Sequence, residues 1–334
     1  MKRILFIVKK GQQYSGSYGY ASSGLCNSAI FVADMLRYHG VDAKFVQVVD
    51  NNDIDREVTQ NHPDVVVIEA LWVVPGKFEV LRRLHPEVLW VVRVHSEVPF
   101  LSQEGIAIRW LFEYLNTPNV FVAFNSSRSL HDFMRVSWSD KLLYLPNYFP
   151  KQFSCYDYYD YKTKKSEEEL HVGCFGAIRP LKNQLLQAMA AIRYADLENK
   201  HLDFHMNTSR VEGGEEVLKN IRSLFAKSTH SLIEHEWLSY SRFQHLLSRM
   251  DLVMCVSLSE TFCIVAADAA SLGVPLVCSP EVRWSSRMSQ ANPTNMDSIL
   301  EAMYRVGRIS GYLDKRGLRE YNSRSKKVWL SFLE

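Results

Sequence analysis

The chain has 334 residues, 47% of them hydrophobic and 23% charged, with a formal net charge of +2. That length suits two domains of ordinary size, the apolar content excludes an intrinsically disordered chain, and a charge so close to balance gives no argument by itself for a nucleic-acid partner. The six cysteines (Cys26, Cys155, Cys174, Cys255, Cys263, Cys278) form no C-x-x-C pair, which points to reduced, buried thiols in a cytoplasmic protein and away from disulfides or a zinc site.

The opening MKRILFIVKK has too few apolar residues for a signal peptide or a membrane span, so a soluble intracellular protein is expected. Ile4 to Val8 reads as a first buried strand, followed by a glycine- and serine-rich segment from Gly11 to Gly24. A helix from about Leu25 to His39 stops at Gly40, and Ala43 to Val49 gives a second strand. The alternation continues with strand Asp64 to Glu69, helix Lys77 to Leu84, strand Val88 to Val94, helix Glu104 to Leu115, and strands Val120 to Phe124 and Leu142 to Leu145. Strands separated by helices of this length predict a parallel sheet covered on both faces. Pro146-Asn147 breaks the pattern, and the polar, tyrosine-rich stretch from Lys151 to Glu169 reads as a hinge or loop. The alternation then restarts: strand His171 to Phe175, helix Asn183 to Leu197, strand Leu202 to Met206, helix Gly214 to Lys227, a short strand near Leu232 and helix Tyr240 to Met250. The expected organisation is an N-terminal domain over 1–147, a hinge over 148–170 and a C-terminal domain over 171–310. A basic helix over 311–334 would cross back to the first domain. Two open α/β domains of this kind would face each other across a cleft. From Arg305 to Lys327 the tail carries eight Lys or Arg against Asp314 and Glu320, an amphipathic pattern that suits a solvated face or an anionic acceptor.

The most informative stretch is Asp251 to Pro280, DLVMCVSLSETFCIVAADAASLGVPLVCSP. Leu252 to Val256 is a buried strand, Phe262 to Leu272 an alanine-rich helix, Gly273 a left-handed helix stop, and Leu276 to Cys278 the next strand. Two acids interrupt this apolar unit. Asp268 follows Glu260 by eight residues and returns to within roughly 80° of its direction on a helix, so both carboxylates could face one ligand lying across the helix start. The N–H groups around Thr261 to Ile264 and the positive end of the helix dipole suit a diphosphate. Together these features imply a nucleotide sugar, while the acids read equally well as a loop acid and a backbone-tied helix acid. The second informative stretch is FGAIRPLKN, from Phe175 to Asn183. Gly176 directly after a strand permits close approach of a ligand, and Arg179 and Lys182 could neutralise a leaving diphosphate.

SETFCIVAADAASLGVPLV resembles the E-x7-E region of retaining GT-B glycosyltransferases of the family 4 type. FGAIRPLKN resembles their Arg and Lys diphosphate motif, and LYLPNYF their segment leading into the hinge. HEWLSYSRFQHLLSRMDLVM resembles the stretch before the acidic motif. The matches run in order from Pro146 to about Pro280, and the N-terminal half matches more weakly. The resemblance implies an α/β GT-B fold of two Rossmann-like domains, with Glu260 meeting the donor sugar, Asp268 the ribose hydroxyls, and Arg179 and Lys182 the diphosphate. Backbone around Thr261, Phe262 and Cys263 would assist. His95, after a central strand, corresponds to the family's active-site histidine, and Ser23 and Gly24 lie where the N-terminal loop approaches the donor. Glu97 is a candidate acceptor-side base. Two departures stand out: Asp268 replaces a glutamate, and Thr-Phe-Cys follows Glu260 in place of a glycine-containing run.

The implied function is transfer of a sugar from a nucleoside diphosphate sugar, UDP-sugar first, to a hydroxyl with retention at the anomeric carbon. No tightly bound cofactor and no metal are expected. Asp53-Ile54-Asp55 is formally a D-x-D metal motif, but its setting in NNDIDRE reads as a helix N-terminus, and no H-E-x-x-H, G-x-S-x-G or P-loop lysine motif occurs. The RVHSEVPFLSQEG region resembles bacteriophage-encoded transferases, which would make a hydroxymethylated DNA base one acceptor; a polysaccharide or other glycan is another. A nucleotide-sugar 2-epimerase and an inactive scaffold of the same fold are the competing readings.

Overall fold

A computed structural model describes residues 2–10, 24–150, 167–306 and 312–334. They form two compact units, one of residues 2–10, 24–150 and 321–334, the other of residues 167–306 and 312–320. The glycine- and serine-rich segment up to Ser23, and the tyrosine-rich segment up to Ser166 with Cys155, lie outside the described residues.

In the first unit the chain runs β1 (Arg3–Lys9), α1 (Gly24–Tyr38), β2 (Asp42–Val48), α2 (Asp53–Asn61), β3 (Val65–Glu69), α3 (Lys77–Leu84) and β4 (Leu89–Val94). It continues through α4 (Val98–Leu101), α5 (Ala107–Asn116), β5 (Val120–Phe124), α6 (Ser127–Ser137) and β6 (Leu142–Tyr144). The strands form one all-parallel sheet in the order β2-β1-β3-β4-β5-β6. All five residues of β3 are buried, as an apolar run sandwiched between two helical layers must be. One face carries a core around Val66, Trp90, Phe78 and Tyr114, and the other a core around Phe6, Ala29, Val67 and Val91.

The second unit contains β7 (Glu169–Gly173), α7 (Gln184–Glu198), β8 (His201–Asn207), α8 (Glu215–Phe225), β9 (Ser231–His235), α9 (Tyr240–Ser248) and β10 (Leu252–Cys255). It ends with α10 (Ile264–Leu272), β11 (Leu276–Cys278), α11 (Met296–Val306) and the first part of α12 (Tyr312–Leu333). Its sheet is also all parallel, in the order β11-β10-β7-β8-β9. The chain moves outward from β7 in one direction and then, through α9, returns to start again on the other side with β10. The order therefore reverses between β7 and β10, and the crevice outside the C-terminal ends of those two strands is where open α/β sheets receive ligands.

Three elements bear on the sequence reading. Helix α6 was not anticipated, because SRSLHDFMRVS is polar on the whole and buries only Ser129 and Phe133, with Leu130 packed beside them. The Asp53-Ile54-Asp55 triplet opens α2: the Asp53 carboxylate accepts the Val49 N–H at 3.0 Å, and Asp55 meets His85 Nε2 at 2.7 Å. The basic tail is one 22-residue helix, α12, shared between the two units and anchored at both ends. In the second unit its Asp314 accepts the Ser286 N–H at 2.7 Å and the Ser289 hydroxyl at 2.6 Å. In the first unit Trp329 is fully buried, donates Nε1–H to the Pro146 carbonyl at 2.8 Å and packs on Phe6, while Asn322 brackets the Phe149 backbone. No described helix is long and apolar enough to cross a membrane.

Candidate functional site

The loops after β7 and β10 flank the reversal in the second sheet, and they carry the two motifs singled out from sequence. Gly176 follows β7 with φ +114°, a conformation reserved in practice for glycine, and its N–H donates to Asn207 Oδ1 at 3.3 Å. A single 3-10 turn, Pro180–Lys182, then presents Lys182, and Asn183 in the left-handed region starts α7. The two loops are stitched together. Leu258 N–H donates to the Leu181 carbonyl at 2.8 Å, and Asn183 Nδ2 reaches the Val256 and Pro293 carbonyls at 3.1 and 2.7 Å. Gln187 accepts the Val256 N–H and donates to the Lys182 carbonyl, each at 2.8 Å. Such bonds fix the backbone beneath the charged side chains before any ligand arrives.

On this support Lys182 Nζ makes an ion pair with Glu260, whose Oε1 also accepts the Ser257 hydroxyl at 3.0 Å. Burial works to discharge the Lys182 ammonium, but the Glu260 carboxylate beside it, together with Cys263, opposes that effect, and the net result is a raised lysine pKa that favours the charged form. Arg179 lies close enough to Lys182 to oppose its charge. Its Nε donates to Glu212 Oε2 at 2.5 Å, Arg210 pairs with the same carboxylate, and the Arg210 guanidinium lies over Trp237 with Cζ 4.9 Å from the ring centroid. Burial would raise the Glu212 carboxyl, and the two guanidiniums together hold it below the usual range. Glu212 and Arg210 carry no motif of their own, and only the fold brings them here; Trp237 falls within HEWLSYSRFQHLLSRMDLVM but was not singled out.

The acidic pair is arranged differently from the helical-wheel expectation. Helix α10 begins at Ile264, so Glu260 lies in the loop four residues before it, as read from sequence, and the helical angle between the two acids does not apply. Phe262 is buried, with its carbonyl accepting Trp284 Nε1–H at 2.7 Å, and Cys263 adopts φ +61° immediately before the helix. A left-handed non-glycine residue costs roughly 1–2 kcal/mol. The strained residue stands in the segment where the resembling family uses glycine. Asp268, one turn into α10, is 1% exposed, and its Oδ1 accepts Tyr240 OH at 3.0 Å and Gln244 Nε2 at 2.5 Å, both from α9. Burial pushes its pKa up to about 8, against the smaller opposing pull of those two donors. Glu260 and Asp268 therefore have separate partners, one cationic and one neutral.

In the first unit, His95 follows β4. Its Nε2 meets Glu69, the last residue of β3, and its Nδ1 lies 3.3 Å from Asn125 Nδ2. Glu69 is fully buried and also receives Arg93 Nη1 at 3.0 Å, while Arg93 donates onward to the Leu145 carbonyl at 2.9 Å and Asn147 Oδ1 at 2.6 Å. Burial lowers the His95 pKa, with Glu69 opposing, and Arg93 and His95 keep Glu69 ionised although burial alone would raise it. Glu69 was missed from sequence, though an acid closing the apolar run VVVIE was a visible signal. Glu97 is 2% exposed and accepts the Ser126 hydroxyl at 2.5 Å, the Ser129 hydroxyl and Arg128 Nε at 3.2 Å. Those three donors occupy the carboxylate in tying the β4–α4 turn to α6. Gly24 is the first residue of α1, and Ser23 lies outside the described residues.

No protein-family model matches the chain, and no curated protein matches it in sequence. Solved structures match along the whole length. Sucrose-phosphate synthase from Thermosynechococcus elongatus aligns with a TM-score of 0.70 at 14% identity, over 99% of this chain and 98% of its own. An apo OtsA structure gives 0.70 at 10% identity over 99% of both chains. A UDP-forming alpha,alpha-trehalose-phosphate synthase from Burkholderia xenovorans, in complex with glucose-6-phosphate, gives 0.68 at 12% identity over 99% of both. The chain has the α/β GT-B fold, as its motifs led one to expect.

Proposed function

We propose that this protein is a nucleotide-sugar-dependent glycosyltransferase that moves a sugar from a nucleoside diphosphate sugar to a hydroxyl acceptor with retention of anomeric configuration. The observation that carries the reading is the Lys182–Glu260 pair, held on two cross-bonded loops at the sheet reversal of the second unit with Arg179 beside it. In the reaction, the bond from the anomeric carbon to the diphosphate oxygen breaks, and a bond from the acceptor oxygen forms on the same face. Lys182 and Arg179 take up the negative charge that grows on the leaving diphosphate, and the N-terminus of α10 adds its dipole. The backbone of Thr261, Phe262 and Cys263 would face the phosphates, and Gly176 leaves room for them. A phosphate oxygen of the leaving group receives the acceptor proton, so the mechanism requires no separate carboxylate base. Glu260, released from Lys182 as the diphosphate arrives, accepts hydroxyls of the donor sugar. Asp268 offers Oδ2 to the ribose, since Tyr240 and Gln244 both donate to Oδ1. In the first unit His95 is neutral and aligned by Glu69.

UDP is the first candidate for the donor nucleotide, because a structural neighbour over the full chain is described as UDP-forming. The test is a thermal-shift panel of nucleoside diphosphate sugars. A donor at 100 times its dissociation constant stabilises by about 2.7 kcal/mol, and UDP-sugars should give the largest shift. The panel is repeated with Lys182→Ala, which should lose the response to donor. Equal shifts in parent and variant would remove the diphosphate site from this loop pair.

A further inference from the structure

The second sheet carries a side-chain cluster that the transfer chemistry does not use. Of the eleven histidines in the chain, His171, His201, His205, His230 and His235 lie on β7, β8 and β9 or in the turn before β9. Strand alternation decides which face they take. Val172, Phe204 and Met206 enter the apolar core, so His171, Asp203 and His205 stand together on the opposite face. The register sets His171 directly across from Asp203 and diagonal to His205, which pairs with Gly173. One ligand atom from each of His171, Asp203 and His205 lies within 4.8 Å of the others.

We propose that His171, Asp203 and His205 form a binding site for a divalent zinc-type cation that ties β7 to β8. The spacing supports this. Zinc bonds of about 2.0–2.1 Å at tetrahedral angles place neighbouring ligand atoms about 3.3 Å apart. His171 Nδ1 is 3.1 Å from His205 Nε2 and 3.6 Å from Asp203 Oδ2, values on either side of that figure. The outer contacts also fit. His205 Nδ1 lies 2.9 Å from His235 Nε2, a ring-to-ring contact that can hold a proton on Nδ1 and leave the lone pair of Nε2 toward the cation. His171 Nε2 is 4.0 Å from Glu169, so this nitrogen can carry the His171 proton when Nδ1 binds metal. In the metal-free arrangement His171 Nδ1 and His205 Nε2 face each other at hydrogen-bond distance, and the cation would take the place of that bond. Two histidines and one carboxylate leave a fourth tetrahedral position for water. The side chains of His171 and Asp203 are 35% and 23% exposed, which leaves the site open to solvent for loading.

The experiment is isothermal titration of Zn²⁺ into the full-length, tag-free protein at neutral pH. Co²⁺ follows as a spectroscopic probe whose intense visible bands report tetrahedral ligation. Saturable binding of about one zinc per chain is expected, accompanied by a rise in Tm of about 5 °C at saturating metal. His171→Gln and Asp203→Asn should each weaken binding by at least about tenfold and abolish the tetrahedral Co²⁺ bands. His62→Gln, in the other unit, should change neither. Circular dichroism verifies that each variant is folded, and the more exposed His171 serves as the primary site because its replacement disturbs the core least. Absence of saturable zinc binding by the parent, or affinities unmoved in both ligand variants, would overturn the proposal.

Discussion

At the residue scale, the charge of each side chain in the candidate site is set by burial and its close partners. Removing either member of the Lys182–Glu260 pair strands the other in a partly buried loop. Lys182→Ala and Glu260→Ala are expected to lower sugar transfer by at least about a hundredfold, in line with the loss of one charge-stabilising group, while circular dichroism and the unfolding transition show a retained fold. Full activity in either variant, measured as nucleotide released per acceptor glycosylated, would reject the assignment. Asp268 makes a different prediction. Its folded pKa of about 8 lies above the ordinary aspartate value, so between about pH 4 and pH 8 the folded state holds a proton that the unfolded chain gives up. Its contribution to stability is present at the low end of that window and is lost as pH rises through 8. Asp268→Asn, which mimics the protonated acid, should flatten this decline, as read from urea midpoints at pH 5 and pH 8; an unchanged pH slope would mean the carboxylate is ionised in the fold. Arg179, Lys182, Glu260 and Asp268 were all legible in the sequence because each interrupts an apolar pattern or follows a strand. Their partners Glu212, Tyr240, Gln244 and Ser257 were not singled out: three of these four are distant in sequence, and although Tyr240 and Gln244 fall within HEWLSYSRFQHLLSRMDLVM, nothing in that stretch assigns them to Asp268.

At the element scale, most strands and helices follow from periodicity, and the exceptions have local causes. Helix α6 is polar enough to escape notice, and α10 starts later than its composition suggests because Phe262 and Cys263 are spent on a buried turn. Helix α12 shows what the tail composition concealed. A basic pattern suggested a solvated or anion-binding face, yet the helix is seated through Trp329, Leu333 and Leu318, whose apolar surface is buried. A Cβ added at Gly317 would lie 2.0 Å from the Trp284 carbonyl oxygen, a backbone atom that cannot swing aside. Gly317→Ala should therefore destabilise by about 1–3 kcal/mol although alanine is the better helix former. Trp329→Ala should cost about 3–5 kcal/mol through the cavity it leaves. Chemical denaturation measures both, and a stabilised Gly317→Ala would show that α12 can slide away from Trp284.

At the scale of the whole molecule, both sheets are parallel and each reverses its strand order once, which leaves a ligand crevice at a defined place in each unit. In the second unit the reversal lies between β7 and β10, and the two motif loops follow those strands. Hydrogen exchange with and without UDP should show protection concentrated in 176–183 and 257–264 if the diphosphate is received there. Protection confined to the first unit would move the donor site.

The sequence by itself determined the α/β class and the restart of the alternation after Pro146, and it drew attention to four charged residues, because burial on two sheet faces imposes a pattern of apolar residues that any intruding charge interrupts. Only the tertiary structure decided what those charges do. It paired Glu260 with Lys182, gave Asp268 to α9, and closed Glu97 against Ser126, Ser129 and Arg128. It also gathered His171, Asp203 and His205 on one face of neighbouring strands. The physical reason is common to all of them. A hydrogen bond or ion pair depends on distances of a few ångströms, and parallel strands bring together residues separated by dozens of positions whose spacing along the chain carries no periodic trace.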